Sequence, residues 1–447
     1  MSLLVPLVTV LLACSSSDDG AIRRPDPTVE RPKNVLMVSI DTTRRDHVDR
    51  YATDGQVRTP FLSGLLADGL ALDDHLQCSS WTLASTSCTL EGRMNEDTGW
   101  MAKLAEAFAA RVPDGRRTLA ARLRDAGWQT MIVSSNGFLS FEWNNVQGYE
   151  IVDRPTTADT RALLDAGRDL LVANTADDPR PWLLHVHLVE AHPPYTPPDP
   201  YDDADQALPP SRWDLDDQAG QYDAGAQYPT MSPDDQALLR AHLEARYTGE
   251  LRRQDDLLAA WWAAFDADGW LDDTLVIVWT DHGEQFFEHG HQAHAWGLGA
   301  EENDGVAGFW AKDLAPRAWD RPTHAVDLVP TALDLLGLPL DGDATLDGYV
   351  VGEAPDDRPL YGSVSGRLGP MVSVTRSGTK LSFGWDGAVS TWDRATDRTE
   401  AIDTFDPDAP LDPDTLALWD LLVPRIEAVA ALTPEAALTW PAALPHP

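Results

Sequence analysis

Apolar residues in this chain gather in short runs that lie between stretches with helical spacing. Three of these runs are short and mostly apolar: Asn34–Ile40, the run that begins the segment WLLHVHLVEAHPPYTPPDPY, and Leu275–Trp279. Such runs are typical of buried strands in a parallel sheet. Residues 116–135 have a helical pattern, a glycine stop and then a further strand, which is one repeat of an α/β fold. The pattern therefore predicts a fold built around a large, mostly parallel sheet.

The pattern changes towards the C-terminus. From about Leu346, four short strand candidates alternate with glycine-rich turns, which is typical of a small antiparallel sheet. A last helix is predicted over Leu416–Leu432. We therefore divide the chain into an α/β domain of residues 33–345 and a C-terminal subdomain of residues 346–447.

Two further segments of the α/β domain have distinct patterns. Residues 201–229 are polar and rich in Asp, Gln and Pro, which predicts a long surface insertion. The following segment, which starts with the capping signal Ser232 and Asp235, predicts one long helix or a helical hairpin.

The N-terminus has the pattern of an export signal. The short apolar run MSLLVPLVTVLLAC resembles a bacterial lipobox, with residues 1–13 as the signal peptide and Cys14 as the lipidated residue. Residues 14–32 would then form a flexible tether, and the protein would be a periplasmic or cell-surface lipoprotein. No Lys or Arg precedes the run, so an uncleaved apolar N-terminus is the alternative.

The net charge of the chain argues against one class of binding partner, nucleic acid. The chain has 34 Lys+Arg against 72 Asp+Glu, a net charge of −38, which argues against nucleic acid because phosphate backbones would be repelled. Cys78 and Cys88 remain after Cys14. In an oxidising compartment they could form a disulfide, and two separate buried thiols are the alternative.

Polar groups follow each of the three apolar runs. Asp41 follows the first, His192 lies just beyond the second, and Asp281 and His282 follow the third. Thr82 lies at the start of a predicted helix, where anions bind. Carboxylates and imidazole suit a divalent cation, which would lower the pKa of the Thr82 hydroxyl and make it a nucleophile.

Two histidines near these groups could bind the substrate anion and transfer protons. His192 and His294 could hold a tetrahedral anion or protonate a leaving group. This layout suits the hydrolysis of a charged ester at sulfur or phosphorus. The competing interpretations are a solvated, His-rich loop at residues 280–294 and a hydroxyl at Thr82 that only caps its helix.

Several segments, in order, resemble the sulfatases of the alkaline phosphatase superfamily, from about Lys33 to the C-terminus. They are the opening strand with its aspartate, the nucleophile segment, the H-x-P segment, the helix-strand-DHG block and a late helix: NVLMVSIDTTRRDH, SSWTLASTSCTLEGR, HLVEAHPPYTPP, RYTGELRRQDDLLAAWWAAFDADGWLDDTLVIVWTDHGE and THAVDLVPTALDLLGLP. The resemblance implies an alkaline-phosphatase-like three-layer sandwich with a large, mostly parallel sheet. A small C-terminal antiparallel sheet with a terminal helix completes the expected fold.

The resemblance also implies roles for individual residues and a small anionic ester as substrate. One divalent ion is expected. The resemblance implies calcium, and manganese and zinc are the alternatives. The implied metal ligands are Asp41, Thr82, Asp281 and His282. The implied catalytic residues are Thr82, His192 and His294, and the substrate contacts are His192, His294, Asn136 and Arg44.

Departures from the family pattern qualify the expected reaction. Thr82 stands where sulfatases carry the Cys or Ser that becomes formylglycine, so formylglycine is not expected. Thr86 replaces the usual arginine, Thr42 replaces the second aspartate, and Ser134–Gly137 replaces the G-K-W-H element. We therefore expect a sulfatase-family hydrolase of sulfate esters, or of related phosphate or phosphonate esters. The alternatives are a phosphodiesterase or phosphoethanolamine transferase, and a non-catalytic anion-binding lipoprotein.

Overall fold

The computed structural model describes residues 31–106, 111–340 and 345–445. The predicted signal peptide, and the tether up to residue 30, lie outside the described residues. The strands are β1 (Asn34–Ile40), β2 (Leu70–Leu76), β3 (Gln129–Ser134), β4 (Ile151–Asp153), β5 (Trp182–Leu188), β6 (Thr274–Thr280), β7 (Gln285–Phe286), β8 (Gln292–Ala293), β9 (Ala307–Trp310), β10 (Arg317–His324), β11 (Leu360–Gly366), β12 (Gly369–Arg376), β13 (Thr379–Gly384) and β14 (Val389–Asp393). The α-helices are α1 (Pro60–Ala67), α2 (Thr82–Glu91), α3 (Leu119–Asp125), α4 (Thr160–Thr175), α5 (Asp203–Gln206), α6 (Gln218–Gln227), α7 (Pro233–Ala267), α8 (Ala300–Asn303), α9 (Leu328–Leu336) and α10 (Pro413–Leu432).

The main sheet has eight strands in the order β10-β2-β9-β6-β1-β5-β3-β4. Only β9 runs antiparallel to its neighbours, so the predicted large and mostly parallel sheet is confirmed. At the centre, Ile40 of β1 pairs with Leu188 of β5 and with Thr280 of β6. This register brings the residues that follow, Asp41 and Asp281 among them, to the same edge of the sheet.

Helices cover both faces of the main sheet. Alternate residues of β1 point to opposite faces: Val35 packs in a core with α2, α3 and α9, whereas Leu36 packs in a core with α1, α4 and α7. Both side chains are fully buried. The predicted three-layer sandwich is therefore confirmed.

The C-terminal sheet has the antiparallel order β11-β12-β13-β14, and α10 packs on it. The rings of Phe383 in β13 and Trp419 in α10 meet edge to face, with their centroids 5.6 Å apart. Asp412 caps α10 by accepting hydrogen bonds from two backbone amides. The small antiparallel sheet and its terminal helix are confirmed, while the domain boundary near residue 345 stays a prediction.

The segment before the DHG block forms a single helix rather than a hairpin. α7 has 35 residues, and the Ser232 side chain caps it by accepting a hydrogen bond from the Asp235 amide. The segment before α7 is more than a surface insertion, because it contains α6 and buries Gln221. The Gln221 amide donates hydrogen bonds to the carbonyls of Tyr195 and Leu215 and so ties the segment to the rest of the molecule.

Cys78 and Cys88 form a disulfide between the end of β2 and the helix α2. This settles the alternative left open by the sequence. In the part of the chain that the structure describes, no helix is long and apolar enough to cross a membrane.

Candidate active site

Two carboxylates meet where β1 and β6 end. Asp41 and Asp281 are both fully buried, and together with His282 they form a group whose ligand atoms lie within 4.8 Å of one another. Asp41 Oδ1 and Asp281 Oδ2 accept no hydrogen bond. Two buried carboxylate oxygens without a donor are costly unless a cation lies between them. The donor set therefore fits a divalent cation.

The ring of His282 is oriented for metal binding. Its Nδ1 donates to the Gly283 carbonyl at 2.9 Å, which leaves Nε2 of the neutral ring unprotonated. His282 Nε2 lies 3.4 Å from Asp41 Oδ1 and 3.6 Å from Asp281 Oδ2. Gly283 allows the close packing of this turn, because a Cβ atom there would lie 2.0 Å from the Glu301 carbonyl oxygen.

Thr82 is the first residue of α2, and its hydroxyl points to the same cluster. Thr82 Oγ1 lies 3.3 Å from His282 Nε2. Trp81, not Thr82, is the N-cap residue of α2, and no side chain caps the helix there. The Ser85 hydroxyl, one turn further on, donates to the Asp281 carbonyl at 2.5 Å and fixes α2 against β6. The structure therefore gives no support to Thr82 as a helix cap.

The two carboxylates differ in the direction of their pKa shifts. Burial would raise the pKa of Asp41, but the neighbouring imidazoles of His187, His192 and His282 outweigh burial and lower that pKa below its usual range. Burial and repulsion from Asp41 raise the pKa of Asp281 well above its usual range. Without a cation, Asp41 therefore ionises more readily than Asp281. A cation between the two carboxylates would favour the ionised form of Asp281.

A buried chain of hydrogen bonds leads from the core to His187, which lies beside Asp41. The Tyr149 hydroxyl is 2.8 Å from His185 Nδ1, and His185 Nε2 is 2.7 Å from Ser39 Oγ. Ser39 Oγ is 2.7 Å from His187 Nδ1, and His187 Nε2 lies 3.4 Å from Asp41 Oδ2. The ionised Asp41 carboxylate can only accept, so the consistent arrangement has Ser39 donating to His187 Nδ1 and accepting from His185 Nε2, with Tyr149 donating to His185 Nδ1. His187 then presents Nε2–H to the carboxylate.

Asn136 lies at the cluster, whereas Arg44 does not reach it. The Asn136 amide donates to Asp41 Oδ2 at 2.8 Å, so it orients a carboxylate. The buried Arg44 guanidinium instead forms ion pairs with Asp46 and Glu288, both at 2.7 Å. The Arg44 guanidinium is therefore engaged by acidic side chains and by the Glu284 carbonyl, and its role as a substrate contact stays a prediction.

The two predicted anion-binding imidazoles are neighbours. The ring centroid of His294 lies 5.1 Å from that of His192 and 4.5 Å from that of His282. Nδ1 of His294 shares a hydrogen bond with buried Glu284 at 3.3 Å. Burial raises the pKa of Glu284 to about 8, and burial with the nearby imidazole charges lowers the pKa of His294 well below its usual range. His294 is therefore neutral.

Other polar residues near these motifs lie away from the cluster. Glu190 pairs with Arg253. His289 faces Glu301, and the His291 ring stacks on Trp296 with centroids 4.1 Å apart.

The hydrogen-bond chain and Glu284 were not assigned from the sequence. A signal for the chain exists in β5, where His185 and His187 are spaced two apart in an otherwise apolar strand and so share one face. The register then places Ser39 opposite His187. That register could not be known from the sequence.

The family model described as Sulfatase matches residues 33–338. The multifunctional alkaline phosphatase superfamily protein PehA of Trinickia caryophylli is 26% identical over 185 residues, which are 36% of this chain and 35% of that protein. The match thus spans about a third of that relative's length.

Two solved structures share the fold at low sequence identity. BT4656, in complex with its substrate D-glucosamine-2-N,6-O-disulfate, is 14% identical with a TM-score of 0.72, over 91% of this chain and 99% of that one. The phosphonate monoester hydrolase SpPMH of Silicibacter pomeroyi is 18% identical with a TM-score of 0.66, over 89% of this chain and 95% of that one. One neighbour binds a sulfated substrate and the other is a phosphonate monoester hydrolase.

Proposed function

Because the chain belongs to the sulfatase family, we propose that it is a metal-dependent hydrolase of sulfate, phosphate or phosphonate esters with Thr82 as its nucleophile. One observation carries this proposal. The Thr82 hydroxyl lies 3.3 Å from His282 Nε2, beside the buried Asp41 and Asp281 carboxylates. A hydroxyl at that point can attack an ester whose charged oxygens are held by the same cluster.

Asp41, Asp281 and His282 would hold one divalent ion, with the Thr82 hydroxyl as a further ligand. The family points to calcium, and the mixed oxygen and nitrogen donors also suit manganese or zinc. When bound, the ion supplies positive charge that lowers the pKa of the Thr82 hydroxyl and neutralises the ester oxygens.

The chain's own residues perform the remaining steps. The Thr82 hydroxyl loses its proton to solvent, and Thr82 Oγ forms a bond to the central sulfur or phosphorus atom while the bond to the leaving oxygen breaks. His192 gives a proton to that oxygen, and the partly exposed His192 marks the open side of the site. His294, which is neutral, holds a substrate oxygen by a hydrogen bond. At phosphorus, water then attacks the central atom, the bond to Thr82 Oγ breaks, and one proton of the water passes to the Thr82 oxygen.

The identity of the nucleophile favours phosphorus esters within this class. A sulfated aldehyde hydrate can expel sulfate by collapsing to the aldehyde, and a sulfated threonine has no such exit. A phosphothreonine can instead be attacked by water at phosphorus. Thr82 therefore supports a phosphodiester or phosphonate ester as the second, more specific candidate substrate.

The substrate and location follow from the same reasoning. We expect a small anionic ester, since BT4656 binds a sulfated sugar and SpPMH is a phosphonate monoester hydrolase. The Cys78–Cys88 disulfide supports export, because disulfides persist in oxidising compartments. Export with a lipid anchor at Cys14 is part of the proposal.

Turnover of three aryl esters tests the proposed function. We expect metal-loaded protein to hydrolyse at least one of 4-nitrophenyl sulfate, bis(4-nitrophenyl) phosphate and 4-nitrophenyl phenylphosphonate, and chelation to abolish that activity reversibly. Thr82→Ala should lower kcat at least about 1,000-fold, because it removes the nucleophile. Release of 4-nitrophenol gives the rate.

Thr89→Ala is the matched control, since Thr89 is a buried threonine of α2 whose hydroxyl donates only within the helix, to the Ser85 carbonyl at 2.8 Å. It should retain the wild-type rate. Failure of metal-loaded protein to hydrolyse any of the three esters would overturn the proposed function. A Thr82→Ala rate equal to that of wild type would remove only the nucleophile assignment.

A further inference from the structure

The tip of the β11–β12 hairpin lies against the loop that carries His294. The Arg367 amide donates to the Ala295 carbonyl at 2.7 Å. Gly366, the preceding residue, makes this approach feasible because a Cβ atom there would lie 2.2 Å from the same carbonyl oxygen. The C-terminal sheet therefore brings one residue, Arg367, directly beside the candidate active site.

The Arg367 side chain is fixed on this loop. Its Nε donates to the His294 carbonyl at 3.1 Å, and its guanidinium carbon lies 5.2 Å from the centroid of the Trp296 ring. Trp296 is itself held, because its Nε1 donates to the Gln292 carbonyl at 2.6 Å and His291 stacks on it. The guanidinium is thus positioned before any ligand arrives, which lowers the entropy lost on binding.

The charge of Arg367 is not neutralised by a carboxylate. The buried Arg44 and the partly buried Arg253 both pair with acidic residues. Arg367 has no carboxylate partner among residues 31–106, 111–340 and 345–445, although the chain carries a net charge of −38. Its positive charge contributes to lowering the pKa of His294, and the Tyr222 hydroxyl of α6 is its other side-chain neighbour.

We propose that Arg367 binds a second anionic group, located on the leaving-group part of the substrate. The substrate is then an ester that carries a negative charge besides the reacting sulfate or phosphoryl group, such as a carboxylate. A guanidinium presents paired N–H donors that match the two oxygens of a carboxylate. This inference rests on the proposed function, because it places the leaving group on the side of His294.

Matched esters of 3-hydroxybenzoate and 3-hydroxybenzamide test the inference, since the two leaving groups differ in charge and little in shape. Both are made in the ester class that metal-loaded protein hydrolyses. We expect wild type to favour the carboxylate-bearing ester at least about 10-fold in kcat/KM. Arg367→Gln should bring the ratio of the two kcat/KM values to about 1.

Arg376→Gln is the matched control, because Arg376 lies in the same sheet and pairs with Asp357 at the surface. It should keep the wild-type ratio. A wild-type ratio of about 1, or an unchanged ratio in Arg367→Gln, would overturn the inference.

A binding measurement separates this inference from the proposed function. In calorimetry with metal-loaded full-length protein, 3-hydroxybenzoate should bind at least about 10-fold more tightly than 3-hydroxybenzamide, and Arg367→Gln should remove the difference. This readout needs no turnover. If the esters are not hydrolysed and the difference in binding remains, the proposed function fails and Arg367 keeps its role. If the esters are hydrolysed and neither readout depends on Arg367, only the inference fails.

Discussion

Hydrogen-bond direction determines how Asp41 is presented at the site. The chain from Tyr149 through His185, Ser39 and His187 has one self-consistent arrangement of protons, and it ends with an N–H facing Asp41 Oδ2. Such outer partners fix the orientation of a ligand and tune its basicity. Ser39 is the centre of this chain, since it accepts from one imidazole and donates to the other.

Ser39→Ala should therefore weaken metal binding without removing a ligand. It leaves His185 Nε2–H and His187 Nδ1 without a partner, and we expect the affinity for the divalent ion to fall about 10–100-fold. Titration against a competing chelator measures it. Ser382→Ala, which changes another buried strand serine in the C-terminal sheet, is the control. Equal affinities in Ser39→Ala and wild type would contradict a role for the chain.

The sequence predicted the residues of the cluster better than those around it. Asp41, Asp281 and Thr82 each lie next to a strand end or helix start that the local pattern shows. Arg44 also follows a strand end, but the orientation of its side chain depends on the ion pair with Glu288, which is far away in the sequence. Arg367 could not be found, because only the packing of a hairpin tip places it beside the site.

At the scale of elements, α7 shows what helical periodicity cannot resolve. Its last turns pack on the main sheet through Trp261 and Phe265, and its first half packs in another core through Leu243 and Tyr247. A continuous pattern with a change of buried partner is equally compatible with a hairpin. The short strands β7 and β8 were not predicted, because a strand of two residues is too short to show an alternation of apolar and polar positions.

One buried carboxyl in the middle of α7 makes stability depend on pH. Glu250 accepts a hydrogen bond from the Thr196 amide at 2.8 Å, and burial raises its pKa from 4.5 to about 7. The folded protein then binds a proton that the unfolded chain has lost between these two pH values. The contribution of Glu250 to the free energy of unfolding is therefore fully present below pH 4.5, and it is lost as the pH rises to about 7.

Glu250→Gln should remove this part of the pH dependence, since the amide keeps an oxygen for Thr196 and carries no charge. Relative to wild type, the variant should gain up to about 3 kcal/mol of unfolding free energy between pH 4.5 and 7. Urea unfolding at a series of pH values measures the difference. Glu244→Gln, which alters a partly exposed pair with Arg240 on the same helix, should leave the shape of the profile unchanged. Parallel curves for wild type and Glu250→Gln would refute the assignment.

For the whole molecule, buried charges join the C-terminal sheet to the main sheet. Lys380 is fully buried, donates to the Leu298 carbonyl and pairs with Glu400 at 3.0 Å. Arg394 extends the network to Asp304 at 2.6 Å, which follows α8. Both sheets were predicted from their strand patterns. This junction was not, because it depends on charges that are distant in the sequence.

Lys380→Met should destabilise the whole molecule, because it leaves Glu400 buried with one partner fewer. We expect the free energy of unfolding to fall by about 3–5 kcal/mol. Lys312→Met is the control: Lys312 forms a surface pair with Asp266 at 3.6 Å, and its loss should cost far less than the loss of Lys380, because solvent screens the pair. Denaturant unfolding gives both values. Similar losses in the two variants would show that the buried network contributes no more than a surface pair.

The docked hairpin tip has a consequence for how this enzyme could change its substrate. The proposed reacting groups lie at strand ends and at a helix start inside a close-packed core, where a shift would disturb the residues packed around them. Arg367 comes from a hairpin tip and Tyr222 from a separate helix, and neither belongs to the main sheet. Substrate selectivity can therefore be changed by replacing the hairpin tip that carries Arg367 and the helix that carries Tyr222. The proposed catalytic residues would stay unchanged. A grafted tip that keeps Gly366 would still dock on Ala295 and could present a different side chain in place of the guanidinium.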